Sequence, residues 1–171
     1  MLIRDATEAD IPAIVDLYNA WIPTHTITWT EGLDTQEQRA AWLQRQRRDG
    51  CPVLVAEHAG DVVGYTAYEP FRGEGKWPGY RHTAELSIHV RQDHWGRGVG
   101  RALVERLIER ALAAGIHVMV AAIDSENEPS IRFHERLGFA EVGRLPETGR
   151  KFGRWLDLVL MQRTLDSRES L

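Results

Sequence analysis

The stretch Trp95-Gly96-Arg97-Gly98-Val99-Gly100-Arg101 stands between a run that alternates and a run that does not. Upstream, His82–Val90 sets Ala84, Leu86, Ile88 and Val90 on one side and Thr83, Glu85, Ser87 and His89 on the other, the pattern of a half-buried strand. Downstream, Val99, Leu103, Leu107 and Ala111 share one stripe of a helix predicted over Val99–Ala114. A strand that turns through glycines directly into a helix leaves the first helical amides without internal partners, and the helix dipole makes that end attractive to an anion. Arg97 and Arg101 add positive charge. The dipole contributes about 0.3–1 kcal/mol, and each directed N–H bond to a charged oxygen roughly 1.5–3 kcal/mol. The residues of the turn leave several readings open. A Walker loop lacks its Lys-Ser or Lys-Thr here. A dinucleotide turn wants G-x-G-x-x-G, whereas the spacing is G-x-G-x-G, although Asp124 ends the next predicted strand. A tight turn without a ligand is the remaining reading.

Outward from the turn, the periodicities predict the order β-α-α-β-β-β-α-β-α-β-β. Leu2–Arg4 reads as a first strand, and Thr7-Glu8-Ala9-Asp10 as a capping pattern before Ile11, Ile14, Val15, Tyr18 and Ile22 at helical spacing. Thr24–Leu33 reads as an irregular or short extended piece. Thr35 caps a second helix, with Trp42 and Leu43 on its apolar side and Arg45, Arg47 and Arg48 near its negative end before Gly50. Pro52–Glu57 and Val62–Tyr68 are strand-like and meet at Ala59-Gly60-Asp61, a hairpin signal. Phe71–Tyr80 contains Gly73, Gly75, Gly79 and Pro78, which predicts a long loop. Val118–Ile123 is a buried-type strand, Pro129–Leu137 a short helix stopped by Gly138, and Phe139–Leu145 and Trp155–Gln162 the last strands. An antiparallel meander leading into one central βαβ crossover gives the α/β class with a mixed, mostly antiparallel sheet flanked by helices. We expect a single domain over residues 2–165 and a polar C-terminal tail over 166–171.

Composition narrows the function classes. The chain has 171 residues, 43% hydrophobic and 27% charged, enough for one substantial core. Lys and Arg number 21 against 25 Asp and Glu, a formal net charge of −4, which argues against an overall electrostatic grip on nucleic acid. Cys51 is the only cysteine, so an intramolecular disulfide and a Cys-built zinc site are excluded. Charge at Arg4 and Asp5 interrupts the N-terminus before a signal-peptide run develops, and Val118–Ile123 is too short to span a bilayer. A cytoplasmic protein is expected, with no nucleic-acid, membrane or metal partner.

A strand with Glu85 and two separated motifs after it, in order, carry a family resemblance. Glu85 on its strand, Gly96-Arg97-Gly98-Val99-Gly100, and Asn127-Glu128-Pro129-Ser130-Ile131-Arg132-Phe133-His134-Glu135-Arg136-Leu137-Gly138-Phe139 resemble the GNAT superfamily of N-acetyltransferases, over nearly the whole chain. Tyr80-Arg81-His82-Thr83-Ala84-Glu85, Leu86-Ser87-Ile88-His89-Val90, Phe133-His134-Glu135 and Arg150-Lys151-Phe152-Gly153-Arg154-Trp155-Leu156-Asp157 resemble more narrowly the phosphinothricin and methionine sulfoximine acetyltransferases. Trp95 departs from the family, whose turn usually opens with Gln or Arg; a side-chain contact to the pyrophosphate is lost, while the backbone amides are unaffected.

The resemblance implies acetyl-CoA as co-substrate, a small amino-acid-like amine as acceptor, and a homodimer. It implies that the pantetheine arm lies between strands ending near Val90 and Ala122, pairing with main-chain groups. Ile88, His89, Val90, Trp95, Gly96, Arg97, Gly98, Val99, Gly100, Arg101, Asn127 and Ser130 are then the expected cofactor contacts. Acyl transfer needs a deprotonated amine, a polarised thioester carbonyl and a stabilised thiolate. Glu85 is the candidate base, and His134, where many GNATs carry a tyrosine, the candidate proton donor to sulfur. His89, on the face of Glu85, reads equally as an orienting or a packed residue. Arg72 and Arg81 suit an acceptor carboxylate, and Trp29, with Ile27 and Trp77, an apolar wall for its side chain. Lys151 and Trp155 build either a pocket rim or a dimer. A protein N-terminus or polyamine as acceptor, and a non-catalytic CoA-binding sensor module, are the competing readings.

Overall fold

A computed structural model of the chain describes residues 1–73 and 77–166. Its elements are β1 (Leu2–Asp5), α1 (Ile11–Asn19), α2 (Gln36–Arg48), β2 (Val53–His58), β3 (Asp61–Pro70), β4 (Thr83–Val90), α3 (Val99–Ala113), β5 (Val118–Asp124), α4 (Glu128–Arg136), β6 (Ala140–Lys151) and β7 (Arg154–Thr164). This is the predicted order. The seven strands form a sheet in the order β1-β2-β3-β4-β5-β7-β6. β4 and β5 are parallel, and β1–β2, β2–β3, β5–β7 and β6–β7 are antiparallel. The sheet is thus the mixed, mostly antiparallel one expected. Apart from Asp166, the expected polar tail lies outside the described residues.

Most boundaries fall within two residues of the sequence reading, and two differ by more. α1 ends at Asn19, so Ile22 lies on the following turn, where it is buried all the same. β6 runs on to Lys151 because its ladder with β7 absorbs Pro146 and the left-handed Glu147 (φ 52°) in an irregularity between Leu145 and Gly149. Among the described residues, no helix is long and apolar enough to cross a membrane.

The chain packs as two compact units, Met1–Tyr68 with Ser87–Leu107, and Glu69–Leu86 with the chain from Ile108 onward. In the first, Ile11, Ile14, Val15 and Leu17 of α1 and Trp42 and Leu43 of α2 close on Val53, Val55, Tyr65 and Ala67 of the β2–β3 hairpin. Ala59 and Gly60, both at positive φ, make the two-residue hairpin turn. Arg4 forks onto Asp10 through two bonds of 2.8 Å, and Asp10 also accepts from the Thr7 amide at 2.7 Å. The guanidinium holds the Asp10 pKa down to about 2. Gln46, buried on α2, donates to the Tyr68 carbonyl at 2.9 Å and ties that helix to β3.

In the second unit β5 lies between β4 and β7, which explains its continuous apolar run: Met119, Val120, Ala121 and Ile123 are all buried, with Val159 and Met161 of β7. β6 forms the edge. Val142 and Leu145 on it, with Phe152 and Trp155 at the hairpin end, stand exposed.

Candidate active site

Glu85 is the natural starting point, because its strand is covered on one face and open on the other. Ala84 and Leu86 are buried, while Glu85 and Ser87 are exposed. The parallel ladder pairs Thr83 with Val118, Ala84 with Met119 and Glu85 with Val120, and Glu85 is the last of these pairs. Two main-chain bonds, Phe71 N–H to Thr83 O (3.1 Å) and Arg91 N–H to Val63 O (2.9 Å), belong to one antiparallel register between β3 and β4. That register sets Glu69 opposite Glu85, and Tyr65 opposite His89. Although Glu85 keeps solvent contact, the groups around its carboxyl displace part of the water, and the Glu85 pKa is raised first by this partial desolvation and then by the negative charge of Glu69. A carboxylate in that state holds a proton more readily than an ordinary surface glutamate. Glu69 escaped the sequence reading, because the register of β3 against β4 is set across the long connection between Pro70 and Thr83, which carries no local signal for it.

The same strand leads into the glycine turn. Gly96 and Gly98 adopt φ of 70° and 82°, and nothing lies within 4 Å of where either would carry a Cβ. An extra carbon fits the space but not the backbone, so these two positions need glycine. The Ala102 amide donates to the Gly98 carbonyl (3.0 Å), so the amides of Val99, Gly100 and Arg101 precede the helical ladder of α3. Val99 is buried, Gly100 half-buried, and Arg97 and Arg101 are exposed. Arg101 is ion-paired to Glu105 one turn on, at 2.7 Å. Trp95, half exposed, donates its indole N–H to the Val90 carbonyl at 2.8 Å. Its ring stacks on Trp21, with centroids 5.2 Å apart and planes 19° apart.

His89 is enclosed. Its ring stacks on Tyr65 (5.0 Å, 13°) and meets Tyr18 edge to face (5.4 Å), and Nδ1 is buried without a hydrogen-bond partner among the described residues. Burial, then the nearby Arg39 cation, push its pKa down to about 4. The ring is packed among these aromatic groups, the surroundings of one of the two readings the sequence left open. Ile88 and Val90 beside it are half-buried. The aromatic group is completed by Arg39, buried in α2, whose guanidinium lies 3.7 Å above the Tyr18 ring and is ion-paired to Asp34 at 2.6 Å.

In the second unit, Asn127 caps α4, its side-chain oxygen accepting from the Ser130 amide at 3.2 Å. One turn on, His134 is buried between the edges of Phe133 and Phe139. Its Nδ1 lies 2.8 Å from the Ser130 carbonyl oxygen. That oxygen only accepts, so Nδ1 carries the proton and Nε2 the lone pair of the neutral ring. Nε2 is buried and has no hydrogen-bond partner among the described residues. Desolvation lowers the His134 pKa, partly offset by the Ser130 bond.

An acidic strand residue, a glycine turn into a helix and a capped helix with an inward imidazole are the parts that the sequence pattern of the acetyltransferase (GNAT) family spans, and that pattern matches residues 14–139. The chain is a GNAT-family acetyltransferase. It is 47% identical, over 98% of its length and 96% of the relative's, to the L-methionine sulfoximine/L-methionine sulfone acetyltransferase of Pseudomonas paraeruginosa. A structure from Salmonella typhimurium, described as a putative acetyltransferase with its cofactor acetyl-CoA, superposes with a TM-score of 0.93 at 42% identity, covering 100% of this chain and 97% of that one. A crystal structure of a ribosomal-protein-alanine N-acetyltransferase from Brucella melitensis gives a TM-score of 0.92 at 47% identity, over 96% and 99% of the two chains.

In this acetyltransferase the two candidate carboxylate-binding arginines keep to their own loop. Arg72 donates to the Tyr80 hydroxyl (3.3 Å) and stands over its ring, and Arg81 donates to the Pro78 carbonyl (3.2 Å). Both are exposed. Trp29 is half-buried in the segment after α1, and Trp77 is exposed. Lys151 is buried, with its ammonium 4.9 Å from the Phe152 ring, whereas Trp155 is exposed beneath the Arg150 guanidinium.

Proposed function

We propose that this acetyltransferase moves the acetyl group of acetyl-CoA to the α-amino group of a small amino-acid-like acceptor, phosphinothricin, methionine sulfoximine or a close relative, by direct attack. The observation that carries the proposal is the place of Glu85, the last paired residue of the parallel β4–β5 ladder, on the strand that runs into the glycine turn; its raised pKa agrees with that role. An α-ammonium has no lone pair, so attack begins with a proton leaving nitrogen. Glu85 takes it, directly or through water, and its raised pKa brings it closer to the amine it must deprotonate. The unladdered amides of Val99, Gly100 and Arg101, with the main chain of Gly96 and Gly98, hold the diphosphate, aided by Arg97. Ile88, His89 and Val90 on β4 are assigned to the donor's arm, and Asn127 and Ser130 at the start of α4 are assigned as further donor contacts, as the family resemblance implies.

Attack gives a tetrahedral centre with a protonated nitrogen, and collapse expels a thiolate. His134 bears on this step. With Nδ1 committed to Ser130, the neutral ring begins as an acceptor at Nε2. To act as the proton donor to sulfur it first takes a proton, and the nitrogen of the tetrahedral centre supplies it. Its lowered pKa then makes the imidazolium a ready donor to the departing sulfur.

Arg72, Arg81 and Trp29 are proposed to hold the acceptor's carboxylate and side chain. The similarity to a ribosomal-protein-alanine N-acetyltransferase supports a second reading, in which the acceptor is a protein N-terminus. Acetyl-CoA turnover against a panel of free amino acids, their analogues and N-terminal peptides separates the two; acetylation of peptides alone removes the amino-acid assignment. Glu85→Gln is expected to abolish most turnover with acetyl-CoA affinity little changed, and undiminished turnover across the pH range removes Glu85 as base. The proposal includes a cytoplasmic homodimer, which light scattering of the purified chain tests.

A further inference from the structure

The glycine turn has few restraints of its own. Gly96 and Gly98 have nothing within 4 Å of where a Cβ would stand, so no contact on that side restrains the backbone there. A turn left to itself loses conformational entropy when an anion orders it, and affinity falls accordingly. The residue that opens the turn is Trp95, and two contacts fix it. Its indole N–H donates to the carbonyl of Val90, the last residue of β4, closing a short ring of chain across the strand end. Its ring face lies on Trp21, which follows α1 and meets the edge of His25. Half the surface of this large apolar side chain nevertheless remains in solvent, so core burial does not account for it.

We infer that Trp95 is a positioning residue for the acyl donor: clamped between the Val90 carbonyl and the Trp21 ring, it presets the turn at Gly96–Gly98 for the donor's diphosphate. The inference rests on the acetyl-CoA assignment above. In place of a polar side chain that touches the anion, this chain uses an indole that holds the backbone which does. A stacked indole pair also gives a far-ultraviolet exciton couplet, so the clamp has its own spectroscopic signature.

The test is calorimetric titration of the full chain with coenzyme A, alongside steady-state kinetics and circular dichroism, for wild type, Trp95→Ala, Trp95→Phe and Trp21→Ala. Trp95→Ala is expected to lose the couplet and to raise the coenzyme A Kd and the acetyl-CoA KM roughly five- to thirtyfold, equivalent to about 1–2 kcal/mol. The fall in kcat is expected to stay within about twofold. Trp95→Phe keeps a ring face and loses the N–H, so its Kd lies between those of wild type and Trp95→Ala; this variant carries the test if the alanine variant folds poorly. Trp21→Ala loses the couplet and weakens binding less than Trp95→Ala. A Kd unchanged in both Trp95 variants, with wild type binding coenzyme A, overturns the inference alone. Failure of wild type to bind coenzyme A overturns the donor assignment and the inference together.

Discussion

His89→Phe isolates the cost of keeping an imidazole neutral inside the first unit. In the unfolded chain the ring titrates at its ordinary 6.5, whereas in the fold, stacked on Tyr65 and near the Arg39 cation, it titrates at about 4. Between those values the unfolded chain binds a proton that the folded chain refuses. Stability is therefore fully present above about pH 6.5 and is lost as the pH falls toward 4. The slope is about 1.4 kcal/mol per pH step, for a total of about 3 kcal/mol over the window. Phenylalanine keeps the flat ring and removes both the titration and the unpartnered Nδ1. Urea unfolding followed by tryptophan fluorescence, at steps from neutral pH down to about 4, gives the stability of each protein. Near neutrality the two are expected within about 1.5 kcal/mol of each other. As the pH falls, the variant should gain on wild type by about 3 kcal/mol. Carboxylate titration is common to both proteins and cancels in the difference. Two curves that run parallel from neutrality to the acid end would refute the enclosed, neutral state of His89.

Three other perturbations are equally direct. Gly64→Ala puts a Cβ 3.0 Å from the His89 carbonyl oxygen and 3.2 Å from Leu103 and Val90 side-chain carbons; a loss of about 1–3 kcal/mol is expected, read as a lower Tm. Gly143→Ala, which meets nothing within 4 Å, is the neutral control. Glu69→Gln removes the negative charge that helps raise Glu85, so the acid limb of the kcat/KM profile should move to lower pH, and a limb that stays in place separates Glu69 from the base. Asp10→Asn breaks the Arg4 fork and weakens the cap at Thr7, with a loss of about 1–3 kcal/mol at neutral pH. Because the Asp10 pKa is held down to about 2, the advantage of wild type in urea unfolding should fade only as the pH drops below about 4 toward 2.

Most of the fold is legible in the sequence because each element carries its own period. Alternation at Ala84, Leu86 and Glu85 places one strand face outward, and the stripe Val99, Leu103, Leu107 and Ala111 is buried as one helix face. The glycine turn is equally readable, since Gly96 and Gly98 stand where L-residues are strained. What periodicity cannot carry is how the two faces of a strand end are covered. His89 shares the parity of Glu85, yet it is buried because Tyr65 and Tyr18 close over the far end of that face. Arg39, which the sequence does not single out, lies buried with the Tyr18 ring and the Asp34 carboxylate as its partners. Trp21 gives no local signal for its stack on Trp95, a contact made across a long stretch of chain. The tautomer of His134 follows from its own helix turn, through a carbonyl four residues back, and so becomes visible only with the helix in place.

The edge strand β6 has a consequence for self-association. An incoming strand needs a flat row of alternating donors and acceptors to template itself. Here Pro146 supplies no donor, Glu147 turns left-handed, and the register slips twice, between Glu141 and Gly143 and again between Leu145 and Gly149. No long uninterrupted row remains, so continuous sheet extension, the geometry that leads to fibrils, is blocked along this margin. Whatever docks there is gripped by protruding groups such as Val142 and Leu145, and its orientation is chosen by shape instead of by backbone zipping.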